Sequence, residues 1–267
     1  MDDKEISAII EHINDTIIIN NCGCHGMGHA KRVMNYVEIL LRGIDASDHE
    51  IELGLIAAYL HDIGAIMGKQ GHAERSADYV LMYLKKMHTP DEDIHIIEHA
   101  IRNHSGGANL ESVIGAALTF ADKIDMQKKR MLRFIDDNYF HENIKHILDI
   151  HLSVNQENIV VDIITDGMFD YNSLTSYTKM ITKPVEMSNY LNRECVFQID
   201  GKKIDVNDAF VKHVRQNVLQ ICGNLGIDSN NFCFDIDARN KLFNYEDGYG
   251  VIGNAGMSNQ SFTNGQK

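Results

Sequence analysis

Fourteen histidines stand in a chain of 267 residues, and ten of them (positions 12, 25, 29, 49, 61, 72, 88, 95, 99 and 104) fall within the first 104. The other four, at 141, 146, 151 and 213, are scattered. Imidazole is the commonest protein ligand for transition metals, so this crowding directs attention to metal chemistry first. Four of the histidines combine with two carboxylates to form a complete inner shell for one or two divalent ions: His29, His61-Asp62, His72, His104 and Asp122. Their flanks sharpen the reading. Leu55-Ile56-Ala57-Ala58-Tyr59-Leu60 carries the His-Asp dipeptide to the rim of a core, and Ala116-Ala117-Leu118-Thr119-Phe120-Ala121 draws Asp122 into a buried stretch. An ionised carboxylate there costs several kcal/mol unless it is paired or bound to metal. The alternative for His29, His61, Asp62 and Asp122 is a buried hydrogen-bonded network without metal. For His72 it is a cap or surface contact at a helix start, and for His104 a histidine favoured by the dipole at a helix end.

Apolar residues recur at helical spacing from residue 5 to about 135, with Pro90 the only proline, so this half reads as all-helical. The predicted helices are 4–20, 29–42, 48–61, 72–87, 91–104 and 111–126, with one more reaching about 137. Gly23, Gly26 and Gly28 precede the second helix, Gly43 follows it, and Gly64 and Gly68 follow the third. Thr89 reads as the N-cap of the fifth helix and Pro90 as its first residue. His29 thus opens one helix, His61-Asp62 and His104 close two others, His72 opens a fourth, and Asp122 lies within the sixth.

The period changes near residue 145. Leu148, Ile150, Leu152 and Val154 alternate with polar residues, Asn155-Gln156-Glu157-Asn158 makes a turn, and Ile159 to Ile164 completes a predicted β-hairpin. Cys195-Val196-Phe197-Gln198, a turn at Asp200-Gly201 and Lys203-Ile204-Asp205-Val206 suggest a second hairpin. Asn207 or Asp208 can cap an amphipathic helix carrying Phe210, Val211, Val214, Val218, Ile221, Cys222 and Leu225. The fold class is therefore mainly α: a helical domain over 1–140, a small C-terminal α+β domain over 145–243, and a mobile Gly-, Asn- and Ser-rich tail over 244–267.

The order His29, His61-Asp62, Asp122 resembles the HD-domain superfamily of metal-dependent phosphohydrolases. The wording around it is similar too: His-Ala-Lys-Arg-Val at 29–33, Ala-Ala-Tyr-Leu-His-Asp-Ile-Gly at 57–64 and Phe-Ala-Asp-Lys at 120–123. Gly71-His72-Ala73-Glu74-Arg75-Ser76-Ala77 and Ala100-Ile101-Arg102-Asn103-His104-Ser105-Gly106-Gly107 resemble segments of six-ligand, two-metal members, among them bacterial diadenosine-tetraphosphate hydrolases and the HD-GYP branch. The resemblance covers about residues 25–130. It implies that His29, His61, Asp62 and Asp122 hold a first metal, that His72 and His104 hold a second, and that Asp62 bridges them and orients the nucleophile. Two such ions lower the pKa of a shared water and clamp phosphoryl oxygens, which implies hydrolysis of a phosphate ester or anhydride. Iron, manganese, magnesium, nickel, cobalt and zinc all remain open.

The HD-GYP branch has lysine after the glycine of its His-Asp-x-Gly segment, where this chain has Ala65, and the Gly-Tyr-Pro element is missing. Lys69, in a Gly-flanked loop, is the candidate catalytic and substrate-binding substitute for that lysine. His25, at the rim of the site, and Lys123, beside Asp122, are further candidates for contact with substrate phosphate. A solvent-facing Lys123 and Arg102 is the alternative, because neighbours on a helix point about 100° apart. Lys128, Lys129, Arg130 and Arg133 read as a solvated face or as phosphate steering. His95 and His99, four apart on one helix, could chelate, with helix-surface histidines the blander reading. Cys22, Cys24 and His25 could form a separate metal or redox cluster, although Cys-x-Cys is a poor zinc spacing.

Twenty-five Lys+Arg against 38 Asp+Glu leave a net charge of −13, with 44% hydrophobic and 24% charged residues. That balance disfavours disorder and a surface that coats a nucleic-acid duplex, yet a site-bound metal can still attract a small phosphorylated anion. Five unpaired-looking cysteines, an acidic Met-Asp-Asp-Lys-Glu start and an apolar Ile17-Ile18-Ile19 too short to span a bilayer point to the cytoplasm and no membrane. The expected partner is a small anionic substrate, with a homo-oligomer through the C-terminal domain an open possibility. A di-iron oxygenase using the same six ligands and a non-catalytic metal- or nucleotide-binding regulatory module are the alternatives.

Overall fold

The computed structural model describes residues 4–17, 25–105, 110–130, 143–170 and 179–205. The helices are α1 (Lys4–Ile17), α2 (Met27–Gly43), α3 (Asp48–Leu60), α4 (His72–Lys86), α5 (Asp91–Asn103), α6 (Val113–Ile124) and α7 (Lys179–Tyr190). The strands are β1 (Ile147–Val154), β2 (Asn158–Thr165), β3 (Glu194–Ile199) and β4 (Lys202–Lys203). Short 3-10 turns at Ile63–Met67 and Lys128–Arg130 follow α3 and α6.

The helix starts have identifiable chemistry. Ser47 Oγ accepts from Glu50 N while the Glu50 carboxylate accepts from Ser47 N, a reciprocal box that satisfies two orphan donors ahead of α3. Ser112 caps α6 by accepting from Gly115 N. At α5 the register differs from expectation by one residue: Pro90 is itself the N-cap, with φ −56° and ψ 140°, and no side chain caps the helix. Asp91, Glu92 and Asp93 in the first turn instead place negative charge against the helix N-terminus.

The helices pack as α2 on α3 and α6, α4 on α5, and α5 on α6. Val33, Val37, Leu40, Leu41, Ile97, Ile101 and Phe120 are buried at their centre. The sheet runs in the order β1-β2-β3-β4, with β1 and β2 antiparallel, β2 and β3 parallel, and β3 and β4 antiparallel. Parallel pairing requires a crossover, and α7 lies in it, packed against both α6 and β3. Helix α7 is absent from the sequence-based expectation. Pro184 in its interior argues against a helix, but Met180, Ile181 and Met187 are buried there and hold it. The buried side chains of the sheet, including Ile150, Val161 and Phe197, join those of the helices in one core.

The first predicted hairpin is present, and the second forms with a returning strand of Lys202–Lys203 in place of the expected Lys203–Val206. Asn155 Oδ1 accepts from Glu157 N and Asn158 N to fix the first turn, and Asp200 and Gly201 have φ of 49° and 76°, the positive pair of a tight hairpin. Leu148 departs from the expected alternation. An irregularity in register between Ile147 and Asp149 turns it outward, so Ile147 and Ile150 are buried in its place. The sheet meets the helices where Gly43 touches Val154 and where the Tyr36 hydroxyl reaches Ile150 O. No single helix among the described residues is long and apolar enough to cross a membrane. The proposed helix from Asn207, Val206 at the end of the last predicted strand, the predicted helix segment from 131 to about 137, the tail over 244–267, Cys22, Cys24 and Arg133 lie outside the described residues.

Candidate metal centre

Helix ends bring the histidines together. His61 is the C-cap of α3 and its Nδ1 donates to Ala58 O at 2.8 Å, while His104 is the C-cap of α5 and donates from Nδ1 to Ile101 O at 2.6 Å. Both rings thereby bond a carbonyl in the last turn of the helix they end, and Ile101 O accepts from His104 N as well. His72, the first residue of α4, donates from Nδ1 to Lys69 O at 2.7 Å. His29, on the first turn of α2, donates from Nδ1 to Asp125 Oδ2 at 2.6 Å. A carbonyl or carboxylate oxygen can only accept, so all four rings carry their proton on Nδ1 and turn Nε2 inward as the ligating atom.

Those four Nε2 atoms converge on Asp62. Asp62 Oδ2 lies 3.4 Å from His29 Nε2 and 3.2 Å from His61 Nε2, with Asp122 Oδ1 3.2 Å from His29 Nε2. Asp62 Oδ1 lies 3.2 Å from His72 Nε2 and 3.5 Å from His104 Nε2. The paired Nε2 atoms are 3.2 Å apart in His29 and His61 and 3.1 Å apart in His72 and His104. Two atoms bound to one ion at about 2.1 Å, at octahedral or tetrahedral angles, stand about 3.0–3.4 Å apart. Asp62 Oδ1 is moreover buried without a hydrogen bond. Lone pairs facing lone pairs, around an orphaned carboxylate oxygen, fit a divalent cation.

The electrostatics point the same way. Burial is the strongest influence on Asp62 and raises its carboxyl, but His61, His25 and His104 outweigh it and hold the group well below the usual carboxylate range. Asp122 behaves likewise, with Lys123, His29 and Arg130 overcoming burial. Burial and Arg130 disfavour charge on His29, yet Asp122, Asp125 and Asp62 raise it to about 10. That value places a second proton, on Nε2, between Asp62 and Asp122, the position a divalent cation would take in its stead. Burial lowers His104 to about 4, which keeps its lone pair free at neutral pH.

Each expected site residue has a definite place. His25 lies inside the cluster, 7% exposed, with Nδ1 donating to Asp62 Oδ2 at 2.6 Å. Lys123 Nζ binds Asp122 Oδ2. Lys69 supplies the carbonyl that orients His72, and its side chain is half-buried. Arg102 pairs with Glu98 and Asp78. Of the basic run, Lys128 and Lys129 are exposed, whereas Arg130 turns back to donate to Asp122 O and Asp125 O.

Two residues escaped the sequence reading. Asp125 is fully buried, and Arg32 grips it from Nε at 2.7 Å. Each stands three residues beyond a proposed ligand, Arg32 after His29 and Asp125 after Asp122, a spacing that by itself does not distinguish them from solvated neighbours. Gly64, read as a helix stop, acts through close approach. A Cβ there would lie 2.6 Å from both His72 O and Ser76 N, and its own amide donates to Ser76 Oγ at 2.9 Å.

Residues 26–127 match the family model of the HD domain. This part of the chain is an HD domain. The match spans all six proposed ligands and ends ahead of the sheet and α7. A crystal structure of a predicted HD superfamily hydrolase from an uncultured Thermotogales bacterium is similar at 25% identity and a TM-score of 0.38, over 46% of this chain and 68% of that one. No curated protein matches the chain.

Proposed function

We propose that this protein is a divalent-metal phosphohydrolase that cleaves a phosphate ester or anhydride of a nucleotide or another small phosphorylated metabolite. The reading is carried by the division of Asp62, which turns Oδ2 to His29 and His61 and Oδ1 to His72 and His104. On this reading His29, His61, Asp62 and Asp122 hold one ion, His72 and His104 hold another, and Asp62 is shared. Bound divalent ions supply Lewis acidity toward phosphoryl oxygens and a nucleophile at neutral pH.

The remaining groups position and balance. Asp125, Ala58 O, Lys69 O and Ile101 O fix the four imidazole rings, while Lys123 and Arg130 offset the charge of Asp122. His25, Lys69 and Lys123 are the proposed phosphate-binding groups. A cytoplasmic setting agrees with the free thiol of Cys195.

Metal analysis joined to a phosphatase and phosphodiesterase screen tests the proposal on the wild type, Asp62→Ala and His72→Ala. Metal content and activity should both fall in Asp62→Ala, and one ion should be lost in His72→Ala. Full metal and activity in Asp62→Ala would show that the site is elsewhere. Two retained ions in His72→Ala would remove the two-ion assignment. Dioxygen uptake with a mixed-valent iron resonance signal, and no phosphate release, would make the protein an oxygenase instead.

A further inference from the structure

The geometry points to a second, separate transition-metal site on the outer face of α5, formed by His95, His99 and Glu111. Residues four apart on a helix stand one above the other on the same face, and the rings of His95 and His99 have centroids 5.9 Å apart. Glu111, just ahead of α6, reaches across to both. Its Oε2 lies 3.3 Å from His95 Nε2 and its Oε1 lies 3.4 Å from His99 Nε2. Each distance is one that two atoms bound to the same ion at about 2.1 Å can show, with the Glu111 carboxylate spanning the two rings through its two oxygens. Asn103 Nδ2 lies 3.3 Å from His99 Nε2 and donates to His99 O at 2.9 Å, so Asn103 keeps its backbone partner when an ion takes the ring nitrogen. Two imidazole nitrogens and one carboxylate thus stand together, three donors that a cation can share.

The donors are two imidazoles and a carboxylate, a set suited to zinc, nickel or copper(II) and poorly suited to magnesium or calcium. His95 and Glu111 are exposed, so such an ion keeps positions open to water or to an incoming ligand. The spacing His95-Ile96-Ile97-Glu98-His99 also matches the His-x-x-Glu-His helix of certain metallopeptidases. Glu98, however, is held by Arg102, which donates from Nε at 2.6 Å and also grips Asp78 on α4. That carboxylate is engaged as a structural partner, and the site is one for binding metal. Bound metal would clip the segment before α6 to the helix that ends in His104, independently of the centre at Asp62.

The test uses zinc alone as probe on the full chain, with ions counted after gel filtration from micromolar zinc chloride. Asp62→Ala protein should still hold one zinc per chain, and adding His95→Ala or His99→Ala to it should remove that ion, with affinity weakened at least about tenfold by Glu111→Gln. In the otherwise wild-type chain, His95→Ala should cost one zinc and leave hydrolysis unchanged. Copper(II) on the Asp62→Ala protein should give a resonance spectrum with coupling to two nitrogens. Equal zinc in the Asp62→Ala protein with and without His95→Ala would overturn the site, as would a copper spectrum unchanged by His99→Ala. Because the readouts are ion counts in a background lacking Asp62, they are independent of whether the phosphohydrolase proposal holds.

Discussion

Asp125 Oδ2 accepts from His29 Nδ1 at 2.6 Å while Arg32 holds both oxygens of the same carboxylate, from Nε at 2.7 Å and from its second terminal nitrogen at 2.9 Å. The fork fixes the plane of the carboxylate, and the carboxylate fixes the plane of the imidazole. A carboxylate partner also makes the opposite nitrogen a stronger donor to metal. Asp125→Asn retains the shape and removes the charge, and it should weaken metal binding by about 10- to 100-fold with little change in fold. Competition against a chelator measures this; unchanged affinity would show that Asp125 has no part in tuning His29.

Gly64 allows the turn after Asp62 to lie against the start of α4. Gly64→Ala would drive a Cβ to 2.6 Å from His72 O and Ser76 N, so it should cost about 1–3 kcal/mol and displace His72. Gly68→Ala is the comparison. Its φ of 103° is strained for alanine, but nothing lies within 4 Å of the added carbon. Chemical denaturation should find both variants destabilised, with reduced metal content confined to Gly64→Ala.

The box at the start of α3 gives stability a defined pH dependence. Ser47 N and Ser47 Oγ donate to Glu50 and lower its carboxyl below the ordinary value of 4.5. A depressed folded-state value means the contribution is complete above 4.5 and is lost as pH falls through the lower, folded value. The difference in melting temperature between wild type and Glu50→Ala should therefore narrow from pH 7 to pH 3. A gap that stays constant would remove the ionised carboxylate from the account. Ser47→Ala should cost about 1 kcal/mol at pH 7.

The contact between Gly43 and Val154 joins the sheet to α2. A Cβ on residue 43 would lie 2.3 Å from Val154 Cβ, so Gly43→Ala should force the end of β1 away from the helix. Val154→Gly removes the obstructing carbon. In a double-mutant cycle the two changes should be less harmful together than their sum, with a coupling of about 1 kcal/mol or more. Additive effects would show that the sheet does not press on the helix at this point.

The helical half was legible because its signals are local. Apolar spacing and glycine breaks located α2 to α6 within a residue or two, and His29, His61, Asp62, His72, His104 and Asp122 lie where helix ends meet apolar runs. Asp125 was hidden because it follows the end of α6, where a carboxylate ordinarily reads as solvated. Its role depends on Arg32 and His29, brought near only by the fold. Helix α7 was hidden for a different reason. Pro184 argues locally against a helix, while the surface that stabilises it belongs to α6 and β3.

His29 and Asp125 are 96 residues apart in sequence, and the other donors fall between them. A chain leaving the ribosome exposes His29, His61, Asp62, His72 and His104 before Asp122 and Asp125 exist to complete their surroundings. Closing so long a loop carries an entropic cost that only the packed α6 recovers. The order of assembly follows from this: the His29 end has its full set of donors and the carboxylate that orients them only once α6 has packed onto the earlier helices.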